Sequence, residues 1–145
     1  MIGLLQRVTQ ASVTVDARPV SSIGTGLLVL VGVQKDDTEA QAGRLLERVL
    51  GYRVFPDEQG RMNRSLADIS GGLLLVPQFT LAADTRKGSR PGFSTAAEPA
   101  RARELFEFLL SRARASHAQV GAGEFGADMK VSLINDGPGT FWLES

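Results

Sequence analysis

The sequence predicts an α+β fold: a single sheet-rich domain over residues 1–145, built as a partly closed antiparallel or mixed β-barrel with two main helices. Three observations carry that expectation. Short runs rich in Val, Thr, Leu and Ile recur between turns that hold Gly or Pro. Only two stretches place apolar residues at helical spacing. The alternation is too irregular for a doubly wound parallel sheet, and no repeat, low-complexity segment or linker divides the chain.

Taken in order, Gly3 to Val8 and Ala11 to Val15 read as strands in which β-branched residues alternate with polar ones. Ala17-Arg18-Pro19 marks a turn, and Ser21 to Gly24 leads into a buried-type strand, Gly26 to Val33. Asp36-Asp37-Thr38 offers N-cap chemistry for a helix whose inward face is Ala42, Leu45, Leu46, Val49 and Leu50. Gly51 stops it, and Tyr52 to Phe55 reads as a short strand before a polar turn region, Asp57 to Ser65. Leu73 to Phe79 is a strand whose pattern Pro77 interrupts; the plain alternative for its end is a simple strand terminus with Phe79 and Leu81 in the core. A Gly-, Arg- and Pro-rich loop, Asp84 to Ser94, precedes a second helix from Glu98 to about Ala115. Val120 to Phe125 forms a further strand, and Ala127 to Leu133 and Gly139 to Leu143 close the sheet around Gly137-Pro138.

Composition narrows the chemistry. At 145 residues, with 43% hydrophobic and 22% charged residues, the chain can bury a core without metals or disulfides. The absence of cysteine removes a thiol nucleophile, a disulfide and any thiolate zinc site. A single histidine, His117, lies in a polar stretch where a surface position is expected, so a Ser-His-Asp triad is not indicated. No Gly-rich phosphate loop stands between a strand and a helix. Sixteen basic residues balance sixteen acidic ones, so the overall field does not favour nucleic acid, although Arg86, Lys87 and Arg90 make a local basic rim. No signal peptide or membrane-spanning run is visible, and the expected location is the cytoplasm.

Two runs stand out. Asn135-Asp136-Gly137-Pro138-Gly139-Thr140-Phe141-Trp142 places a proline, which cannot donate to a ladder, between two strand-like segments. Val76-Pro77-Gln78-Phe79-Thr80-Leu81-Ala82-Ala83-Asp84-Thr85 ends a strand in a segment whose amides can turn toward a pocket. Together they resemble the two signature motifs of the D-aminoacyl-tRNA deacylase family, and the resemblance runs from Met1-Ile2-Gly3-Leu4-Leu5-Gln6-Arg7-Val8 to Phe141-Trp142-Leu143.

The resemblance implies a two-fold homodimer that needs no metal or other cofactor and cleaves the ester of D-aminoacyl-tRNA. It implies that Gln78, Phe79 and Thr80 form the catalytic segment, with backbone groups around the reacting carbonyl. It implies that Gly137-Pro138 is cis, enters the other subunit's pocket and excludes L side chains, so that glycyl-tRNA is cleaved too. Arg7 is implied to brace that corner, Ala82 and Met129 to wall the terminal adenosine, and Arg86, Lys87 and Arg90 to meet tRNA. Poor side-chain acid-base equipment suits an already activated ester whose vicinal ribose hydroxyl assists proton transfer. The Thr80 hydroxyl lacks an adjacent base, which favours positioning over nucleophilic attack.

This sequence departs from the family pattern twice. Pro77 replaces the usual Ser, which removes any catalytic duty from that position. Gly139 replaces a larger apolar residue such as Val or Phe and adds backbone freedom beside the selectivity element. The enzyme is still expected to work, because the implied roles belong to backbone groups at Phe79, Thr80, Gly137 and Pro138. Two other readings remain: a catalytically inactive module that holds the tRNA acceptor end, and a small-molecule esterase indifferent to the 2′-hydroxyl.

Overall fold

The computed structural model describes all residues, 1–145. A long first strand organises it. β1 (Ile2–Val15) pairs along one edge with β3 (Gly26–Gly32) through its first half and with β2 (Arg18–Ile23) through its second. The other edge of β1 is taken along its whole length by β8 (Met129–Glu144). β3 continues in parallel to β6 (Gly72–Pro77), which is parallel to the short β7 (Val120–Ala122). β2 folds over β6, with the Ile23 side chain lying where a Cβ on Gly72 would stand, 2.8 Å away. The result is a mixed, nearly closed barrel-like sheet.

The two strands expected between Gly3 and Val15 are one. Register shifts around Val8 let β1 turn from one face to the other without breaking, so Leu5 enters one core while Val8, Ala11 and Val13 enter a second. The turn after it is Asp16-Ala17, both with positive φ, as a two-residue hairpin requires. The proline expected in that turn, Pro19, instead lies in the edge strand β2, where its missing N–H is tolerated.

Two long helices cover one face of the sheet. α1 (Glu39–Gly51) is capped by Thr38 in a capping box with Gln41, and Ala42, Leu45, Leu46 and Val49 face inward. Asp37 does not cap it; its carboxylate lies 2.8 Å from the amino group of Met1. A hairpin of β4 (Phe55–Pro56) and β5 (Met62–Arg64) follows, then a single-turn helix α2 (Leu66–Ile69), which the sequence analysis does not anticipate. Ser65 and Asp68 form its capping box. α3 (Pro99–Ser116) buries Ala102, Leu105, Phe106, Leu109 and Ala113, one residue from the expected span at each end. These residues meet Leu27, Val29, Val31, Leu73 and Leu75 in the main core, while the opposite faces of β3 and β6 send Leu28, Leu74 and Val76 into the smaller one. No helix is long and apolar enough to cross a membrane.

Candidate active site

β6 stops at Pro77, two residues earlier than expected, because proline has no N–H to extend the ladder. The Gln78 amide still donates to the Val31 carbonyl at 2.8 Å, and then the chain winds into a single 3₁₀ turn, Phe79–Ala82. Leu81 N–H bonds back to Gln78 and Ala83 N–H to Thr80. The first two amides of the turn, on Phe79 and Thr80, have no protein acceptor. Adjacent unpaired donors of this kind suit a developing oxyanion.

The alternative of a plain strand end with Phe79 in the core does not hold: Phe79 is 60% exposed, since the turn swings it off the sheet. It stacks instead on Phe93, with ring centroids 5.2 Å apart. Phe79, Phe93, Pro77 and Phe125 line a mainly apolar cavity of about 500 Å³ on one side of the turn. On the other side Thr80, Ala82, Asp84, Arg86, Gln34 and Trp142 line a more polar cleft of about 540 Å³. The Thr80 hydroxyl accepts a short hydrogen bond from Gln78 Nε2, and no base partners it. His117, half-buried rather than exposed, has Nε2 2.6 Å from the Gly71 carbonyl and takes no part in either cavity. No three His, Asp or Glu side chains converge in a metal-binding group.

The loop after the turn carries the basic rim. Its neck is closed by reciprocal backbone bonds between Asp84 and Gly92, 2.7 and 3.0 Å, and Thr95 Oγ1 fastens it to the Ala82 carbonyl at 2.6 Å. Lys87 and Arg90 are exposed, with no ion pair. Arg86 is occupied: Nε and Nη2 bond both oxygens of Asp84 at 2.9 Å. That fork, reinforced by the Arg86 amide, lowers the Asp84 carboxyl to about 2.

Gly137-Pro138 lies elsewhere. Between Gln6↔Thr140 and Val8↔Asn135 the register of β8 skips, so Asp136 to Gly139 bulge out opposite Arg7 alone. The Gly137-Pro138 peptide is cis and both residues are exposed. Arg7 is buried beneath them and donates to three carbonyls, Val54 at 2.7 Å, Asp136 at 3.1 Å and Pro138 at 3.4 Å. Asn135 Nδ2 closes the bulge by donating to Arg7 O at 3.0 Å and Gly139 O at 3.3 Å. Asn135 stands in the quoted motif, but its partner is remote in sequence and its role was not legible there.

Thus Gln78, Phe79, Thr80 and Ala82 come together and Arg86 lines the cleft beside them, while Lys87 and Arg90 follow on the loop and line neither cavity. Met129 packs with the smaller core and against Gly123 beside Pro77, lining neither cavity. Arg7 faces Leu27 on β3, whereas Gln78 bonds Val31. Four strand residues separate the two places, about 13 Å at ~3.3 Å each. Within one chain the bulge and the 3₁₀ turn are separate.

Comparison with known proteins then decides the relationship. The profile of the D-Tyr-tRNA(Tyr) deacylase family matches residues 4–144. The chain belongs to that family. A D-aminoacyl-tRNA deacylase of Alkalilimnicola ehrlichii is 67% identical over 100% of this chain and 97% of its own length. One from Thioalkalivibrio sulfidiphilus is 65% identical over 99% and 97%. Among solved structures, the c-Myc DNA Unwinding Element Binding Protein superposes with a TM-score of 0.96 at 38% identity, covering 100% of this chain and 99% of that one. A probable eukaryotic D-amino acid tRNA deacylase, at 17% identity and a TM-score of 0.86 over 99% and 98%, shares the fold.

Proposed function

We propose that this protein hydrolyses the ester bond of D-aminoacyl-tRNA in the cytoplasm, releasing free D-amino acid and tRNA. The observation that carries the reading is the pair of unpaired amides on Phe79 and Thr80 between two cavities. A substrate carbonyl oxygen set against these donors gains charge as water attacks, and the fixed N–H groups stabilise it without reorganising. The C–O bond to the ribose then breaks. The proton lost by water passes through the vicinal ribose hydroxyl to the departing oxygen, so no side-chain base is required. Thr80, held by Gln78, directs its own proton toward substrate and positions it.

Selectivity in this reading comes from a second copy of the chain. An exposed Gly137-Pro138 bulge about 13 Å along the sheet from its own turn cannot fill its own site, and in this reading it enters the site of a two-fold partner. Its carbonyls accept from the substrate ammonium, and its rigid backbone leaves no space for an L side chain. Glycyl-tRNA has no side chain to exclude and is cleaved as well.

The absence of native cysteine provides a direct test. One preparation carries Thr80→Cys and another Pro138→Cys; after subunit exchange they are treated with a short thiol-reactive cross-linker. A covalent dimer formed only in the mixture is the expected result. Monomeric protein that still discriminates chirality fully would overturn the two-subunit site.

A further inference from the structure

Arg103, on the exposed face of α3, lies over the ring of Phe125, its guanidinium carbon 4.8 Å from the centroid. Phe125 is itself held by Phe106, at 6.4 Å between centroids, and forms one wall of the apolar cavity beside Phe79. Arg103 has no ion pair, and the acids next to it and to Phe125 in sequence are engaged by other arginines. Glu104 is engaged by Arg101 at 3.1 Å, and Glu124 by Arg18 at 3.4 Å. The ring face fixes the cation in place while its N–H edge stays available. Arg86, by contrast, has its fork filled by Asp84.

An aromatic cavity with an oriented, unpaired guanidinium at its rim has the chemistry of a nucleotide site, where the base stacks and the phosphate is held by the charge. We infer that Arg103 binds the 5′-phosphate of the terminal nucleotide while its base occupies the Phe79–Phe93–Phe125 cavity. This rests on the proposed deacylase reading. Glu98, the one carboxylate among the cavity-lining residues, disfavours a phosphate on its own side and so helps set the direction in which the strand leaves. Lys87 and Arg90, on the loop leading to Phe93, remain for phosphates farther along.

The test compares two small esters, 3′-O-(D-tyrosyl)adenosine and its 5′-monophosphate. The wild-type protein is expected to cleave the monophosphate with kcat/KM roughly 10-fold or more higher, the range for a hydrogen bond to a charged group. In Arg103→Gln that ratio collapses toward one, and in Arg103→Lys part of it returns. Arg103 is exposed, so unchanged thermal unfolding serves as a check that the fold persists. A ratio near one in the wild type, or a full preference surviving in Arg103→Gln, would overturn the assignment. Cleavage of D-Tyr-tRNA by the same wild-type preparation separates a failure of the Arg103 assignment from a failure of the deacylase reading.

Discussion

Gly139 lies so tightly against Arg7 that a β-carbon on it would stand 3.0 Å from Arg7 Cβ and 2.6 Å from the Asp136 carbonyl oxygen. That carbonyl is the acceptor for Arg7 Nε. The expectation that Gly139 merely adds backbone freedom is therefore incomplete, since here it also makes room for the brace. A side chain at this position requires the Asp136 carbonyl to shift. Gly139→Ala in this chain is expected to lower stability by about 1–3 kcal/mol through local overpacking. It should also weaken D-over-L discrimination, read by thermal unfolding and paired deacylation assays. Unchanged values in both would show that the bulge yields freely.

Asn135 tests the same brace from the other strand. Asn135→Asp keeps the shape but replaces a donor to Arg7 O and Gly139 O by an acceptor facing two acceptors. Loss of these bonds should destabilise the protein by about 1–3 kcal/mol. It should also lower chiral discrimination more than it lowers hydrolysis of glycyl-tRNA, which needs no exclusion. Equal losses on both substrates would assign Asn135 to general folding only.

Thr80→Val removes a hydroxyl that positions substrate without acting as the nucleophile. We expect roughly a 10-fold loss or less in kcat, with no acyl-enzyme trapped on rapid quenching; a nucleophile's removal would cost about 10³-fold or more. A covalent intermediate on Thr80 would contradict this account.

The Asp84–Arg86 fork should be insensitive to pH through the neutral range. The folded carboxyl is depressed to about 2, so its contribution to loop order is present above the ordinary carboxylate pKa and is lost as pH falls through about 2. Carboxyl NMR should place the Asp84 midpoint there, and Arg86→Gln should move it up toward about 3.9. An unshifted midpoint in the wild type would mean that the fork does not persist in solution.

Much of this architecture is legible in local chemistry. Apolar spacing locates both long helices and proline marks the corner in β8, whereas Pro77 ends β6 two residues before the expected Phe79. What local reading misses depends on long-range pairing. Thr9 and Gln10 look like a break until β8 is present to carry β1 across its irregularity. Leu66 to Ile69 are too few to show helical periodicity, even though Ser65 and Asp68 supply the cap. Among site residues, Phe93 and Phe125 meet at the cavity beside Phe79 only after the loop folds back and α3 is in place. Proline chemistry alone points to the Gly137-Pro138 corner, whereas its role and that of Arg7 come from family resemblance. The three carbonyls that Arg7 serves emerge only from the paired strands and the packed β4 segment.

The most direct test is deacylation of matched D-Tyr-tRNA and L-Tyr-tRNA by the purified protein in the presence of a chelator. The account predicts rapid loss of the D ester and persistence of the L ester. Cleavage of neither ester, or of both at similar rates, would contradict it.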